Sequence, residues 1–237
     1  MDAPLHRNQL LALLPEAERQ ALGAQAEIVA LQEYDELYPA DSLIEYVYFP
    51  LTLMASILIE AGNSTAVDLA TVGNEGMVGS MIVLNVSRSW GRTLVQVSGL
   101  TVRLPAAALL AHLERQPLLR TVLTHYQDAF TRQIFQVGAC NLIHSMEERC
   151  ARWLLMTHDR VGRTTFTLTQ QFLAQMLGVR RATVSLALSL LRRAGLITYV
   201  RGRFRIRDRA GLEEVSCPCY ARIAAEYQRM QTDLSNP

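Results

Sequence analysis

The apolar residues of this chain change their period at Pro105, and that switch constrains the fold more than any other feature. Before it, short runs rich in Val, Ile, Leu and Tyr alternate with breakers. The runs include Leu43 to Phe49, Leu53 to Ile59, Ala66 to Val72, Thr93 to Val97 and Leu100 to Leu104. The breakers are Pro39-Ala40-Asp41, Pro50, Gly62-Asn63, Gly73-Asn74, Gly91 and Ser98-Gly99. Turn signals every 8–12 residues or so predict an all-β barrel or sandwich for residues 27–104, not a parallel βαβ sheet. After Pro105 the spacing is helical. Ala106 to Leu113 suits one helix, Leu118 to about Cys140 a long one, and Met146 to about Asp159 a third. Pro117 fits the first turn of the long helix, where no N–H is needed. Asn141 to Ser145 reads as a hinge, and Asn8 to Leu22 as a short amphipathic helix ahead of the β region. The class is therefore α+β, and 237 residues are enough for more than one core.

The long helix carries a wide apolar stripe. Leu123, Phe130 and Val137 repeat at seven, as do Leu119, Tyr126, Gln133 and Cys140. Two such rows allow two contacts, one with the chain's own β region and one with a symmetry mate. A single wide face turned to one core is the competing explanation.

Residues 164–207 hold the most specific pattern. Thr164-Thr165-Phe166-Thr167 reads as a short strand, and Thr169 is placed to cap a helix with Leu168 and Leu173 as its hydrophobic staple. Gly178 supplies a tight turn, and a second helix runs to about Arg193. Two short helices around a glycine turn are a helix–turn–helix. At 100° per residue, Val184, Ala187, Leu188, Leu190 and Leu191 gather on one side of the second helix. Arg181, Ser185, Ser189 and Arg192 gather on the other, with Ala182 and Leu186 on its flank. A helix entering the DNA major groove presents such a face, because its N-terminal residues reach base edges. Arg181 is placed for a bidentate contact to guanine, with Arg180, Ser185 and Ser189 as the other base-reading candidates. Leu186 fits a thymine methyl, or is simply a surface leucine.

Next, Arg201-Gly202 turns the chain between two strands. In the second strand Phe204 and Ile206 face one way and Arg203, Arg205 and Arg207 the other. This forms a wing suited to phosphates. Thr169, Thr183, Arg192, Arg201, Arg203 and Arg205 are the phosphate-binding candidates. Charge supports a polyanion partner. All 23 basic residues are arginine, and the net charge of +1 hides a strong asymmetry. Residues 1–144 carry 8 Arg against 14 acids; residues 145–237 carry 15 Arg against 8 acids.

With Gln175-x-x-Gly178-x-x-Arg181-x-Thr183-Val184 and Gly195-Leu196-Ile197, the chain resembles the family of the cyclic-AMP receptor protein and the fumarate–nitrate reductase regulator, the Crp/Fnr family. The resemblance spans nearly the whole length. It implies a β-roll or jelly-roll sensor domain of the cyclic-nucleotide-binding type over 1–117. A dimerisation helix and hinge would follow over 118–142, and a winged helix–turn–helix DNA-binding domain over 143–237. It also implies a homodimer on a two-fold DNA operator, with Leu119, Val122, Leu123, Tyr126, Phe130, Gln133 and Val137 as the dimer contact. Activation would in addition need a surface for RNA polymerase. Ala182, where the family often has an acid, and Leu186, where a polar or basic residue is usual, imply an operator different from the cyclic-AMP type.

The family's nucleotide pocket is best matched by Gly79-Ser80 and Arg92-Thr93, with a cyclic nucleotide or another small effector as ligand. Ser80 replaces the family's ribose-binding Glu, which argues against cyclic AMP; Glu75 is close in sequence, and Arg88-Ser89 is a second Arg-Ser match. An Arg92 paired with an acid and no ligand is the alternative.

The four cysteines do not make a disulfide scaffold. The first is Cys140, far from the N-terminal cluster of the family's iron–sulfur members. Cys140 and His144 stand four apart, but two ligands do not make a structural metal site. Cys217-Pro218-Cys219 reads as packing at the start of a final helix, Tyr220 to Met230, with a redox or metal pair as the alternative, and Cys150 as core. No metal site is expected. His112, His125 and His158 are scattered, and neither a nucleophile–base pair nor a Lys-bearing phosphate loop occurs, so an enzyme is not expected. A nucleotide-binding module acting on a protein partner is the second functional class. Neither a secretory start at Met1 to Arg7 nor a long uncharged apolar run is present, so a cytoplasmic protein without membrane contact is expected.

Overall fold

The computed structural model describes residues 5–60 and 66–235. The Gly62-Asn63 breaker and Met1 to Pro4 lie outside the described residues. The chain opens with α1 (Gln9–Ala12) and α2 (Glu16–Gly23). The expected single helix is thus broken. Asn8 caps α1 through its side chain, and Pro15, which has no N–H to continue a helix, takes the N-cap of α2.

Seven strands follow: β1 (Glu27–Leu31), β2 (Glu36–Tyr38), β3 (Tyr46–Pro50), β4 (Met54–Glu60), β5 (Ala66–Val72), β6 (Arg92–Val97) and β7 (Gly99–Pro105). They form two antiparallel sheets, β1-β7-β3 and β2-β6-β4-β5. Strands β3 to β7 fall on the apolar runs of the sequence; β1 and β2 add to these, with alternation too weak to stand out. Helices α3 (Ala106–Arg115) and α4 (Pro117–Ile143) follow β7. Leu109, Leu113, Leu119, Val122, Leu123 and Tyr126 join Val47, Phe49, Leu53 and Leu104 in one core.

His144 is extended, and the hinge narrows to His144-Ser145. Ser145 then starts α5 (Met146–Val161) with a capping box to Glu148, and Gly162 ends it. The remaining elements are β8 (Thr165–Thr167), α6 (Gln170–Met176), α7 (Arg181–Arg193), β9 (Ile197–Val200), β10 (Arg203–Ile206), α8 (Arg209–Val215) and α9 (Cys219–Ser235). Strands β8-β10-β9 form the wing sheet. A second core gathers Trp153, Leu154, Phe166, Phe172, Leu188 and Phe204. Met54, Leu58, Leu94 and Val97 from the β-roll sheet complete it, so the two halves share an apolar boundary.

The last helix does not stay with the winged module. It returns to lie along α4, where Ile223, Tyr227 and Met230 enter the first core, and Tyr227 sits 6.4 Å from Tyr126 between ring centroids. This packing decides the reading of α4. Leu119, Val122, Leu123, Tyr126, Phe130, Gln133 and Val137 are the dimer contact that the resemblance implies, yet all seven are buried within the one chain. Both seven-residue rows face inward, one wide stripe against the β-roll and α9. The apolar residues that α4 leaves outside include Phe135, 72% exposed, and Leu142, 87% exposed, with Ala139 between them. Among the described residues, no helix is long and apolar enough to cross a membrane.

Candidate nucleic-acid interface

Thr169 accepts a hydrogen bond from the Phe172 N–H at 3.1 Å and so starts α6. Gly178, with φ +66°, makes the turn that an L side chain would strain. Its outer side meets Val67 of β5, and Phe172 packs edge-to-face on Tyr34 at 5.1 Å. The first helix of the motif is therefore docked on the β-roll. Arg149 reinforces the turn by donating from Nη2 to the Leu177 carbonyl at 2.7 Å.

Helix α7 buries Val184, Ala187, Leu188 and Leu191. It turns Arg181, Ala182, Thr183, Leu186 and Arg192 outward. Arg180 is its N-cap, with no side chain closing the first turn, so the N–H groups of Arg181 and Ala182 remain open to an anion, while that of Thr183 donates to the Arg180 carbonyl at 3.0 Å. Ser189 is half-buried. Ser185 departs from the outward row: it is half-buried, and its hydroxyl donates to Gln170 Oε1 at 2.5 Å. It belongs to the α6–α7 crossing, because helical angle alone places it outward without knowing where the neighbouring helix sits.

In the wing, Arg201 (φ +48°) and Gly202 (φ +80°) form the two-residue turn between β9 and β10. Phe204 stacks on Phe166 and packs against Tyr199, while Arg203 and Arg205 share an exposed face with Arg201, Thr165 and Thr198. Among the described residues, Arg180, Arg181, Arg192, Arg193, Arg201, Arg203, Arg205 and Arg207 all reach solvent, and none has an acidic partner.

Other arginines of the basic half are committed inside. Arg160 donates from Nε to Glu75 Oε1 at 2.5 Å, from Nη1 to Thr71 Oγ1 at 2.8 Å and from Nη2 to Gln133 Oε1 at 2.6 Å. Gln133 also donates to the Thr71 carbonyl and accepts from the Tyr227 hydroxyl. The network joins β5, α4, α5 and α9, and it exists because Gly73 lets α5 approach: a Cβ there would lie 2.4 Å from Arg160 Cβ. Beside it, burial holds the Asp68 carboxyl up at about 8, against the pull of Arg152 and the Ala70 N–H. Sequence reasoning missed this hub. The lone glutamine in an apolar row was its only local signal.

The effector residues divide. Gly79, Ser80 and Thr93 line a cavity of about 90 Å³ within the β-roll, walled by Tyr38, Ile57, Leu69, Phe130 and Ile134. Ser89 and Trp90 also line it, but among the described residues no basic one does. Arg92 lies outside, paired with Glu36 at 2.5 Å, and Arg88 pairs with Asp41. The expected effector-binding Arg92 is thereby corrected: strand alternation in β6 turns it outward while Thr93 points in. Glu75 is held by Arg160 and is not available to a ribose.

The Cys140–His144 and Cys217–Cys219 pairs, separate in sequence, meet. Cys140 and His144 from the end of α4 stand beside Cys217 and Cys219 from the start of α9, with all four ligand atoms within 4.8 Å of one another. The hydrogen bond between Cys140 and Cys217 lowers the Cys140 thiol and raises the Cys217 thiol.

Residues 148–215 match the Crp-like helix-turn-helix domain. The fold is similar to that of FixK2 from Bradyrhizobium japonicum, with a TM-score of 0.66 at 18% identity, covering 81% of this chain and 98% of that one. It is similar to the regulator CLP of Xanthomonas campestris, described as c-di-GMP responsive, with a TM-score of 0.65 at 12% identity over 81% of this chain and 99% of that one. It is also similar to a transcriptional regulator of the CRP family from Thermus thermophilus, with a TM-score of 0.62 at 18% identity over 79% and 96% of the two chains. No curated protein matches the sequence.

Proposed function

We propose that this chain, a DNA-binding transcription regulator of the Crp/Fnr type, reads a two-fold operator as a homodimer, with α7 in the major groove of each half-site. The observation that carries the reading is the row of solvent-facing arginines on α7 and the wing, none of them paired with an acid among the described residues. Arg181 and Arg180 read base edges, while Arg192, Arg201, Arg203, Arg205, Thr169 and Thr183 hold phosphates. Ser189 is a marginal reader and Ser185 a support for the crossing. The dimer forms through the outer face of α4, where Phe135, Ala139 and Leu142 are apolar and uncovered.

The β-roll cavity takes a small, uncharged, mainly apolar effector that can bond the hydroxyls of Ser80, Ser89 and Thr93. A phosphate inside it would lack a cation, which speaks against a cyclic nucleotide. The test is selection of bound duplexes from a random pool by the full chain, repeated with Arg181→Ala. The expected product is an inverted repeat with half-sites one helical turn apart, roughly 34 Å. Recovery of no enriched sequence, or the same sequence from Arg181→Ala, overturns the assignment of α7.

A further inference from the structure

We infer that Cys140, His144, Cys217 and Cys219 form a tetrahedral site for a zinc-class divalent ion, fastening the end of α4 to the start of α9 across the hinge. The donor set is three thiols and one imidazole, which a four-coordinate zinc ion takes at about 2.3 Å from sulfur and about 2.0–2.1 Å from nitrogen. Around such an ion, neighbouring donor atoms stand on the order of 3.5–3.8 Å apart. Here Cys140 Sγ is 3.4 Å from Cys217 Sγ, and Cys219 Sγ is 3.6 Å from His144 Nδ1. Donors this close surround one ion, not a multi-iron cluster. All three cysteines are buried, and together they make a separate small core of sulfur atoms. Gln136 donates from Nε2 to Cys219 Sγ at 3.0 Å, the outer-shell bond that a metal-bound thiolate accepts.

An independent observation is the charge around the cluster. Arg149 and Arg152 are buried, 8% and 3% exposed, and among the described residues neither lies within ion-pair distance of a carboxylate, Asp68 being the acid that shares a cavity with Arg152. The Nε of each lacks any hydrogen-bond partner there. Arg152 donates only to the Met156 sulfur, at 3.4 Å. Both arginines belong to the first two turns of α5, just past the hinge, and Arg152 lines a cavity with Val137 and Asn141 at the end of α4. Buried cations need a counter-anion. Three thiolates and a neutral imidazole around a divalent ion carry a net charge of −1, and so supply one. Binding releases the thiol protons to solvent. The site spans 77 residues of chain between Cys140 and Cys217, and it lies where α4 ends and the DNA-binding module begins. An ion held there ties the end of that module to the end of α4.

The experiment uses the full chain, reduced and stripped of metal, titrated with Co(II) and then with Zn(II). Expected are one Co(II) per chain, with the intense visible bands and thiolate charge-transfer absorption of a tetrahedral thiolate site, and their loss on adding zinc. Cys217→Ser and Cys219→Ser should each lose the spectrum, while Cys150→Ser, whose thiol is buried away from the cluster and pushed up to about 12 by burial, should keep it. Wild-type protein that takes up no stoichiometric Co(II) overturns the site without reference to any variant. A Cys140–Cys217 disulfide that persists under reducing conditions and leaves zinc unbound overturns it in favour of a redox pair. Metal stoichiometry does not depend on DNA, so failure here is distinct from failure of the operator reading.

Discussion

The wing and the α4–α5 junction use the same residue type for opposite ends. On the wing and on α7, arginines stand in water without acidic partners among the described residues. At the junction, Arg160 is 5% exposed and its Nε, Nη1 and Nη2 are all bonded, to Glu75, Thr71 and Gln133. The first group keeps its charge for a polyanion that arrives later; the second neutralises it within the fold. A count of arginines merges the two, and the basic excess of the C-terminal half overstates the charge offered to DNA. Arg149, Arg152, Arg160 and Arg209 are inside or paired, and Arg163 donates to the Ser98 carbonyl.

Breaking the inner group should have the largest effect. Arg160→Ala leaves Glu75 buried without its cation, held only by the Gly73 N–H, with an expected loss of about 3–5 kcal/mol in unfolding free energy. Urea unfolding of the full chain checks it; a loss close to that of a surface arginine would erase the contrast. Arg181→Ala should leave that unfolding curve in place and weaken operator binding by about 1–3 kcal/mol per half-site, with sequence choice relaxed at the base it reads. Titration against the selected operator and single-base variants measures both.

Asp68 sharpens the inner side through pH. Its folded carboxyl titrates at about 8 against an ordinary value of 3.8, so the folded chain holds a proton that the unfolded chain has released. The stability from this proton is full below about pH 4 and is lost as the pH rises toward 8, at up to about 1.4 kcal/mol per pH unit. Asp68→Asn should flatten that decline, read as the thermal midpoint between pH 5 and pH 8. An unchanged slope would place the titration elsewhere. The smallest effect belongs to single wing residues. Arg203→Ala or Arg205→Ala should weaken all duplexes alike and reduce the salt slope by about 0.9 for each phosphate no longer neutralised. A change in sequence preference would instead make the wing a reader.

Much of the site was legible because its signals are local. Thr169, Gly178 and the spacing of Val184, Leu188 and Leu191 define two helices and their turn within a few residues. Arg203, Phe204, Arg205 and Ile206 alternate on a strand whose two faces differ. The long helix was legible as a helix but not in its partners. A seven-residue row records that a face is apolar, not whose surface covers it, and α9 with Tyr227 arrives from 94 residues beyond Gln133. Arg92 takes the acid-paired alternative that the sequence leaves open, turned to Glu36, while Ser185 turns to Gln170, a partner that periodicity does not name.

The amino-acid order alone determined strands β3 to β7, helices α3 to α5, the helix–turn–helix and the alternating wing, since capping, turn chemistry and side-chain period act over a few bonds. Which arginines are free, which face of α4 is open, and that two distant Cys/His pairs share one small volume were settled only by the folded chain. Those are matters of distance between segments far apart in sequence, and packing, not local preference, sets such distances.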